Sequence, residues 1–329
     1  MRYICAPMLH QRMPLSILTL AGAIVLCAQG CGRLAPHSSA GSQRCAIDMG
    51  SHTFRLIEAS FQDGRYEQRR LEKRTLGVGD DVERHGRISE VKLAEIDAVL
   101  AEFKALCQQD GINEVVAVGT AAFRDAPNAT EALTSAAKRG IRMEIASEER
   151  ESQLAYLVGS LAQDAHAVID NGSRSIELVA QQGGSLSHAV LNLGYRIAYE
   201  QFFAHAADPE AAVVAFRERL LREALAANFM RGCKKLVGVE FAEMAEVLFD
   251  SAPVEGRPLT LTELKQRLQT IESMTGDEFE ALKKRKDIDR ALPRLVVAAT
   301  LTEEFGYSEL VLTGRELGSG LIIEAGMKR

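Results

Sequence analysis

The stretch Asp48-Met49-Gly50-Ser51-His52-Thr53-Phe54-Arg55 decides how the chain is read. An apolar run from Cys45 to Met49 carries a carboxylate at Asp48, Gly50 turns the chain, and Thr53 to Phe61 has the alternation of a second strand. Asp63-Gly64 signals a hairpin, and Tyr66 to Arg74 reads as a third, polar-edged strand. Gly50 allows close backbone approach to a ligand, so the turn's N–H groups and the Ser51 and Thr53 hydroxyls form a cradle suited to phosphate. Asp48 is placed to hold Mg²⁺, which prefers a few carboxylates plus phosphate oxygens. An ordinary hairpin with an Asx-turn leaves the same local trace, so the weight falls on what recurs elsewhere.

The pattern recurs. Ala167 to Asp170 is again an apolar run ending in aspartate, and Asp170-Asn171-Gly172-Ser173-Arg174-Ser175-Ile176-Glu177 repeats the carboxylate, turn and strand. Strands follow at Ile176 to Ala180 and Ser187 to Leu191, around Gly183-Gly184. Between the two units, Leu93, Ile96, Leu100, Phe103 and Cys107 recur at helical spacing behind Ser89, a suitable N-cap. Val115 to Val118 and Ile141 to Ile145 read as strands, Ala129 to Lys138 and Glu148 to Leu161 as helices, and the second half adds strands at Leu236 to Val239 and Leu310 to Leu312. A duplication at domain scale implies two α/β domains with mixed sheets and a cleft between them, over residues 44–163 and 164–329.

Forty-five acidic against 39 basic residues give a net charge of −6, which excludes a general nucleic-acid coat. The 47% hydrophobic and 26% charged content is that of a globular chain. Residues 1–30 differ: Arg2 and Arg12 are their only charges, and Leu15 to Ala28 is almost wholly apolar, as in a secretory signal peptide. Ala28-Gln29-Gly30-Cys31 is similar to a bacterial lipobox, which would make Cys31 a lipid anchor, and residues 31–43 would be a tether. The expected location is therefore periplasmic or membrane-anchored, or cytoplasmic if translation starts later. Six cysteines show no disulfide framework and no zinc spacing, and Cys45 and Cys107 read as small buried hydrophobes.

Three segments in order, Asp48–Leu56, Val118–Leu133 and Asp170–Glu177, resemble the Ppx/GppA phosphatase family, the exopolyphosphatases and guanosine pentaphosphate phosphohydrolases of the actin-like ATPase superfamily. The family's D-x-G-S-N-S-x-R/H stands here as Asp48 to Arg55, and its G-T-x-x-L-R-x-A-x-N as Gly119-Thr120-Ala121-Ala122-Phe123-Arg124-Asp125-Ala126-Pro127-Asn128. The resemblance implies two actin-like (ribonuclease H-like) domains and a phosphoanhydride hydrolase acting on polyphosphate ends or, second, on pppGpp. It implies Glu151 as general base and Arg124 as a phosphate contact. Phosphate would be held by Gly50, Ser51, Thr53, Thr120, Gly172, Ser173, Arg174 and Ser175, and Mg²⁺ by Asp48, Asp170 and Glu177. Without the resemblance, Glu148, Glu149 and Glu151 would be first-turn acids favoured by the helix dipole, and Arg124 a surface ion pair with Asp125 or a neighbour.

The chain also departs from the family pattern. Ser173 and Arg174 replace glycines of D-x-G-G-G-S-T-E and Ile176 its threonine, while His52 replaces an asparagine. Gly238-Val239-Glu240-Phe241 puts a carboxylate where a Gly-Gly-Thr-like segment is expected. In Gly314-Arg315-Glu316-Leu317-Gly318-Ser319-Gly320, Gly318 holds an arginine position for which Arg315 would have to compensate. These changes motivate an alternative: a catalytically impaired, envelope-associated phosphate- or polyphosphate-binding or sensor protein, or, more weakly, an ATP-binding actin-like one. Two basic runs, Arg69, Arg70, Lys73, Arg74 and Lys283 to Lys286, read as solvated faces, with a polyanion track as the other reading. A second copy of the chain is a candidate partner, and nucleic acid is not.

Overall fold

A strand covered on both faces has no polar side to show, which is why the two decisive segments read as continuous apolar runs. The computed structural model describes residues 43–160, 166–249 and 256–328. The export signal over 1–30, Cys31, almost all of the 31–43 tether and the boundary between 163 and 164 lie outside the described residues.

The first sheet contains β1 (Arg44–Met49), β2 (Thr53–Gln62), β3 (Arg65–Thr75), β4 (Val115–Gly119) and β5 (Ile141–Ile145), in the order β3-β2-β1-β4-β5. The second contains β6 (His166–Asn171), β7 (Ile176–Gln182), β8 (Ser185–Leu191), β9 (Lys235–Val239), β10 (Pro258–Thr260) and β11 (Glu309–Thr313), in the order β10-β11-β9-β6-β7-β8. The three leading strands of each sheet are antiparallel, and the central strand then pairs in parallel with its other neighbour. The expected duplication of mixed α/β sheets is thus present, with β10 as an addition. β10 is a three-residue edge strand opening with proline, too short to leave a periodic signal.

Register fixes the chemistry. Asp48 lies opposite Arg55 across β1–β2, and Asp170 opposite Glu177 across β6–β7. Asp48 also pairs in parallel with Val118 and Asp170 with Val239, so Gly119-Thr120 and Glu240 leave their strands beside the two aspartates.

The helices are α1 (Val78–His85), α2 (Glu90–Gln109), α3 (Ala121–Asp125), α4 (Ala129–Lys138), α5 (Glu148–Ser160), α6 (Tyr195–Ala198), α7 (Pro209–Ala224), α8 (Ala242–Phe249), α9 (Leu261–Glu272), α10 (Gly276–Lys283), α11 (Ile288–Glu304) and α12 (Ser319–Met327). The Ser89 hydroxyl caps α2 by accepting from the Lys92 N–H at 3.2 Å, and Ile96, Leu100, Phe103 and Cys107 form its buried stripe. One helix of each half crosses over. α5 packs on β6 to β9 of the second sheet, α12 packs on β1 and β2 of the first, and the two helices pack on each other. Val118, Leu154, Val158, Val168, Val237 and Ile322 make the apolar layer between the sheets.

The cysteine reading needs correcting. Cys45 and Cys107 form a disulfide, Cα to Cα 6.4 Å, tying β1 to the last turn of α2. Both are buried as expected, but the apolar setting of each hid a partner 62 residues away. Closing a loop of that length stabilises the fold by roughly 4 kcal/mol through the unfolded chain. Denaturant unfolding is therefore expected to show a loss of about that size on reduction. The Cys45→Ala, Cys107→Ala double variant should match reduced wild type and be indifferent to reductant. Equal stability of oxidised and reduced wild type would contradict the bond's role.

Candidate functional site

The central strands of both sheets end at one cleft. Its cavity, about 50 Å³, is lined by Asp48, Gly50, Ser51, Thr53 and Thr120 from the first half and by Asp170, Gly172, Ser173, Arg174, Ser175 and Glu177 from the second. Glu151, His52, Arg55, Ala121, Tyr195, Glu240 and Leu317 complete the lining. Twelve of the thirteen site residues expected from the sequence meet here, Arg124 being the exception. That volume holds a few waters or one phosphoryl group and is far below the roughly 300–1,000 Å³ of a small-molecule pocket.

The first loop is held by its surroundings. Ser51 accepts from the Ala122 N–H at 3.1 Å, seating the first turn of α3, while the Gly79 N–H donates to the Ser51 carbonyl at 2.7 Å. The Thr53 hydroxyl is buried without a hydrogen-bond partner. His52 does not face a ligand alone: Arg196 stands 2.8 Å from its Nδ1 and also binds Asp80. Burial and Arg196 lower the His52 pKa.

The second loop keeps its shape without two of the expected glycines, because the backbone opening α6 clamps it. The N–H groups of Gly194, Tyr195 and Arg196 donate to the carbonyls of Arg174, Gly172 and Ser173 at 3.0, 2.9 and 3.1 Å. Gly194 makes that approach possible: a Cβ there would lie 2.4 Å from the Arg174 backbone. The Arg174 side chain donates to the Gly79 carbonyl at 3.2 Å and pairs with Asp125 at 3.6 Å, so it bridges to the first half. Ser175 donates to Glu177 at 2.5 Å.

Arg124 differs from its expectation. Its Nη1 donates to Glu151 at 2.8 Å and to the Ala146 carbonyl at 2.9 Å, so it orients that carboxylate and neither lines the cavity nor pairs with Asp125. Burial pushes the Glu151 pKa up and Arg124 pulls it back, with a net rise. Burial likewise raises Asp170 and Glu177 well above the usual carboxylate range and takes Asp48 up to about 8, Arg55 opposing and nearby carboxylates adding.

Two arginines neutralise the far wall. Arg55 lies 3.5 Å from Asp48 and 3.0 Å from Glu240; Arg294, almost wholly inaccessible within α11, reaches Glu240 at 3.2 Å and the Asn171 carbonyl at 3.1 Å. Arg294 also lies over the Tyr195 ring. Burial would raise Glu240, but Arg55 and Arg294 outweigh it and keep the carboxyl below its ordinary pKa. Sequence reasoning missed Arg294, although a lone arginine inside Ala291-Leu292-Pro293-Arg294-Leu295-Val296-Val297 was a visible signal.

The C-terminal departures also have an account. A Cβ on Gly318 would lie 2.7 Å from Ile57 and 3.1 Å from the Asp48 Cβ, so the turn has no room for a side chain. Arg315 does not compensate: it lies over the Tyr66 ring, away from the cleft lining. The basic runs are largely engaged within the fold. Arg69 and Arg70 pair with Glu58 and Asp110, Arg74 with Glu102, and Lys283 donates to the Ala204 and Ala206 carbonyls. This arrangement gives the track reading no support.

The donor set suits Mg²⁺. Asp48 and Asp170 present hard oxygens among other carboxylates whose charges raise one another's proton affinity, a condition that a cation relieves. Among the described residues no three His, Cys, Asp or Glu side chains form a ready cage, so substrate oxygens and water would complete the shell, as is usual for Mg²⁺.

Known proteins resemble the chain in family and in fold. The Ppx/GppA phosphatase family model matches residues 66–325. The chain belongs to the Ppx/GppA phosphatase family. It is 26% identical over 294 residues to the guanosine-5'-triphosphate,3'-diphosphate pyrophosphatase of Vibrio cholerae serotype O1, covering 85% of this chain and 58% of that one. The chain thus spans little more than half the length of these curated relatives. A Ppx/GppA structure from Aquifex aeolicus superposes with a TM-score of 0.74 at 24% identity, covering 87% of this chain and 98% of that one. An exopolyphosphatase from Cytophaga hutchinsonii gives 0.70 at 19%, with 87% and 98% covered. Both share the actin-like two-sheet fold of this family member.

Gly194→Ala tests the clamp on the second loop. The added methyl is expected to displace residues 172–174 and to destabilise the protein by about 1–3 kcal/mol. Binding of inorganic phosphate should weaken in parallel, as read by calorimetry. Unchanged stability and binding would mean that the loop moves freely.

Proposed function

We propose that the chain is a Mg²⁺-dependent hydrolase that removes terminal phosphate from polyphosphate. The observation that carries this reading is Glu151: a buried carboxylate oriented by Arg124 at 2.8 Å, lining the same phosphate-sized cavity as Asp48, Asp170 and both loops. In the reaction, Glu151 takes a proton from water as the water oxygen bonds to the terminal phosphorus. The bond from that phosphorus to the bridging oxygen breaks, and the shortened chain leaves with the electron pair. Mg²⁺ held by Asp48 and Asp170, with Glu177 beside them, would neutralise charge on the transferred group. Backbone N–H groups near Gly50 and Gly172, with Thr53 and Ser173, would hold its oxygens, and Thr120 closes the wall.

The cavity size favours a polyphosphate end over a guanosine nucleotide. An exported chain would also not meet a cytosolic nucleotide. The buried Cys45–Cys107 disulfide supports export, since such bonds persist in oxidising compartments. One observation favours the second reading, an impaired binding or sensor protein of the envelope: Glu240 already holds the two arginines on the far wall.

Orthophosphate release from long-chain polyphosphate should require Mg²⁺ and stop with EDTA. Glu151→Gln is expected to lower kcat by about 10²–10⁴-fold with KM little changed. Because the base must be ionised and its pKa is raised, activity should fall with decreasing pH and begin to do so at a higher pH than an ordinary glutamate would give. A folded protein that binds phosphate but releases none would leave the second reading standing.

A further inference from the structure

The end of β9 presents an anion seat that the chain fills by itself. Glu240 follows the strand with φ 63, a left-handed backbone that glycine adopts freely and other residues seldom do. It stands just before α8, whose first N–H groups favour negative charge. One oxygen of its carboxylate accepts from both Arg55 and Arg294, at 3.0 and 3.2 Å. The two guanidinium groups are buried, and the Nε of each has no hydrogen-bond partner, as have both side-chain polar atoms of the neighbouring Asn171. Arg294 also donates to Glu243 at 3.4 Å and Arg55 lies 3.5 Å from Asp48, so the two buried Nε–H groups and the Asn171 amide are the polar groups that the carboxylates leave unsatisfied. Planar guanidinium pairs of this kind suit the oxygens of a phosphoryl group.

We propose that Glu240 determines substrate reach: its carboxylate stands in for a phosphoryl group between Arg55 and Arg294 and bars that seat to a second phosphoryl unit of the substrate. The proposal rests on the polyphosphate reading of the cleft. A bound chain then engages the protein chiefly through its terminal unit, and removal of the carboxylate charge opens the next seat. Glu240→Gln keeps the size and an acceptor oxygen for the arginines while removing the charge that competes with phosphate.

The test is calorimetric binding of inorganic tripolyphosphate to the full chain in a Glu151→Gln background, where turnover does not interfere. Adding Glu240→Gln is expected to tighten binding about tenfold or more, because charge-assisted bonds to two arginines become available. Adding Arg294→Gln to that variant should return the affinity to its starting value. Equal or weaker binding by a folded Glu240→Gln variant overturns the proposal. Should that variant be unfolded at the assay temperature, tripolyphosphate is expected to refold it and raise its Tm more than that of wild type, and failure to do so also overturns it. Hydrolysis is scored separately with Glu151 intact. Tighter binding without turnover would contradict only the hydrolase reading, and turnover without tighter binding only the role of Glu240.

Discussion

Four carboxylates, Asp48, Glu151, Asp170 and Glu177, are buried around one small cavity, and this crowding is the constraint on which the rest of the site depends. Burial disfavours each charge, and each ionised neighbour disfavours the next. The chain answers with cations: Arg55 on Asp48 from the cavity wall, and, from outside the cavity, Arg124 on Glu151 and Arg294 behind Asp170. An unpaired charge at this depth would cost several kcal/mol, so each arginine is as structural as it is functional. The remaining negative charge suits a divalent ion arriving with a phosphoryl group.

The scaffold keeps that crowd in register. Asp48 and Asp170 sit at the ends of central strands whose pairing on both sides leaves no freedom to slide. The exchange of α5 and α12 between the sheets places the first turn of α5, with Glu151, where both halves meet. The Cys45–Cys107 disulfide pins the strand that carries Asp48. Arg174 and Arg196 then tie the second loop to the turn around Gly79 and Asp80, which keeps the cavity small.

Much of this was legible in the sequence where the signal was local. β1 and β6 announced themselves as continuous apolar runs ending in aspartate, and α2 as one apolar stripe behind a serine cap. The residues of the two cleft loops followed from their like pattern, whereas Thr120 and Glu151 followed only from the resemblance to the family. What stayed hidden depended on pairs distant in sequence. Arg124 meets Glu151 only because β4 and β5 run parallel and bring the residues after them side by side. The disulfide needs β1 under the end of α2. Glu240 was visible as a misplaced carboxylate, but its meaning required Arg294, which comes from a helix 54 residues further on. Gly318 looked like a lost arginine until its closeness to Asp48 explained the absence of a side chain.

The central claim is that water activated at Glu151 attacks the terminal phosphorus of a polyphosphate chain. It is tested most directly by letting the protein act on long-chain polyphosphate in ¹⁸O-labelled water and examining the orthophosphate formed at early times. The account predicts that each released orthophosphate carries a single solvent oxygen and that the chains shorten from their ends. Labelled fragments of intermediate length, or no labelled orthophosphate from a folded protein, would contradict it.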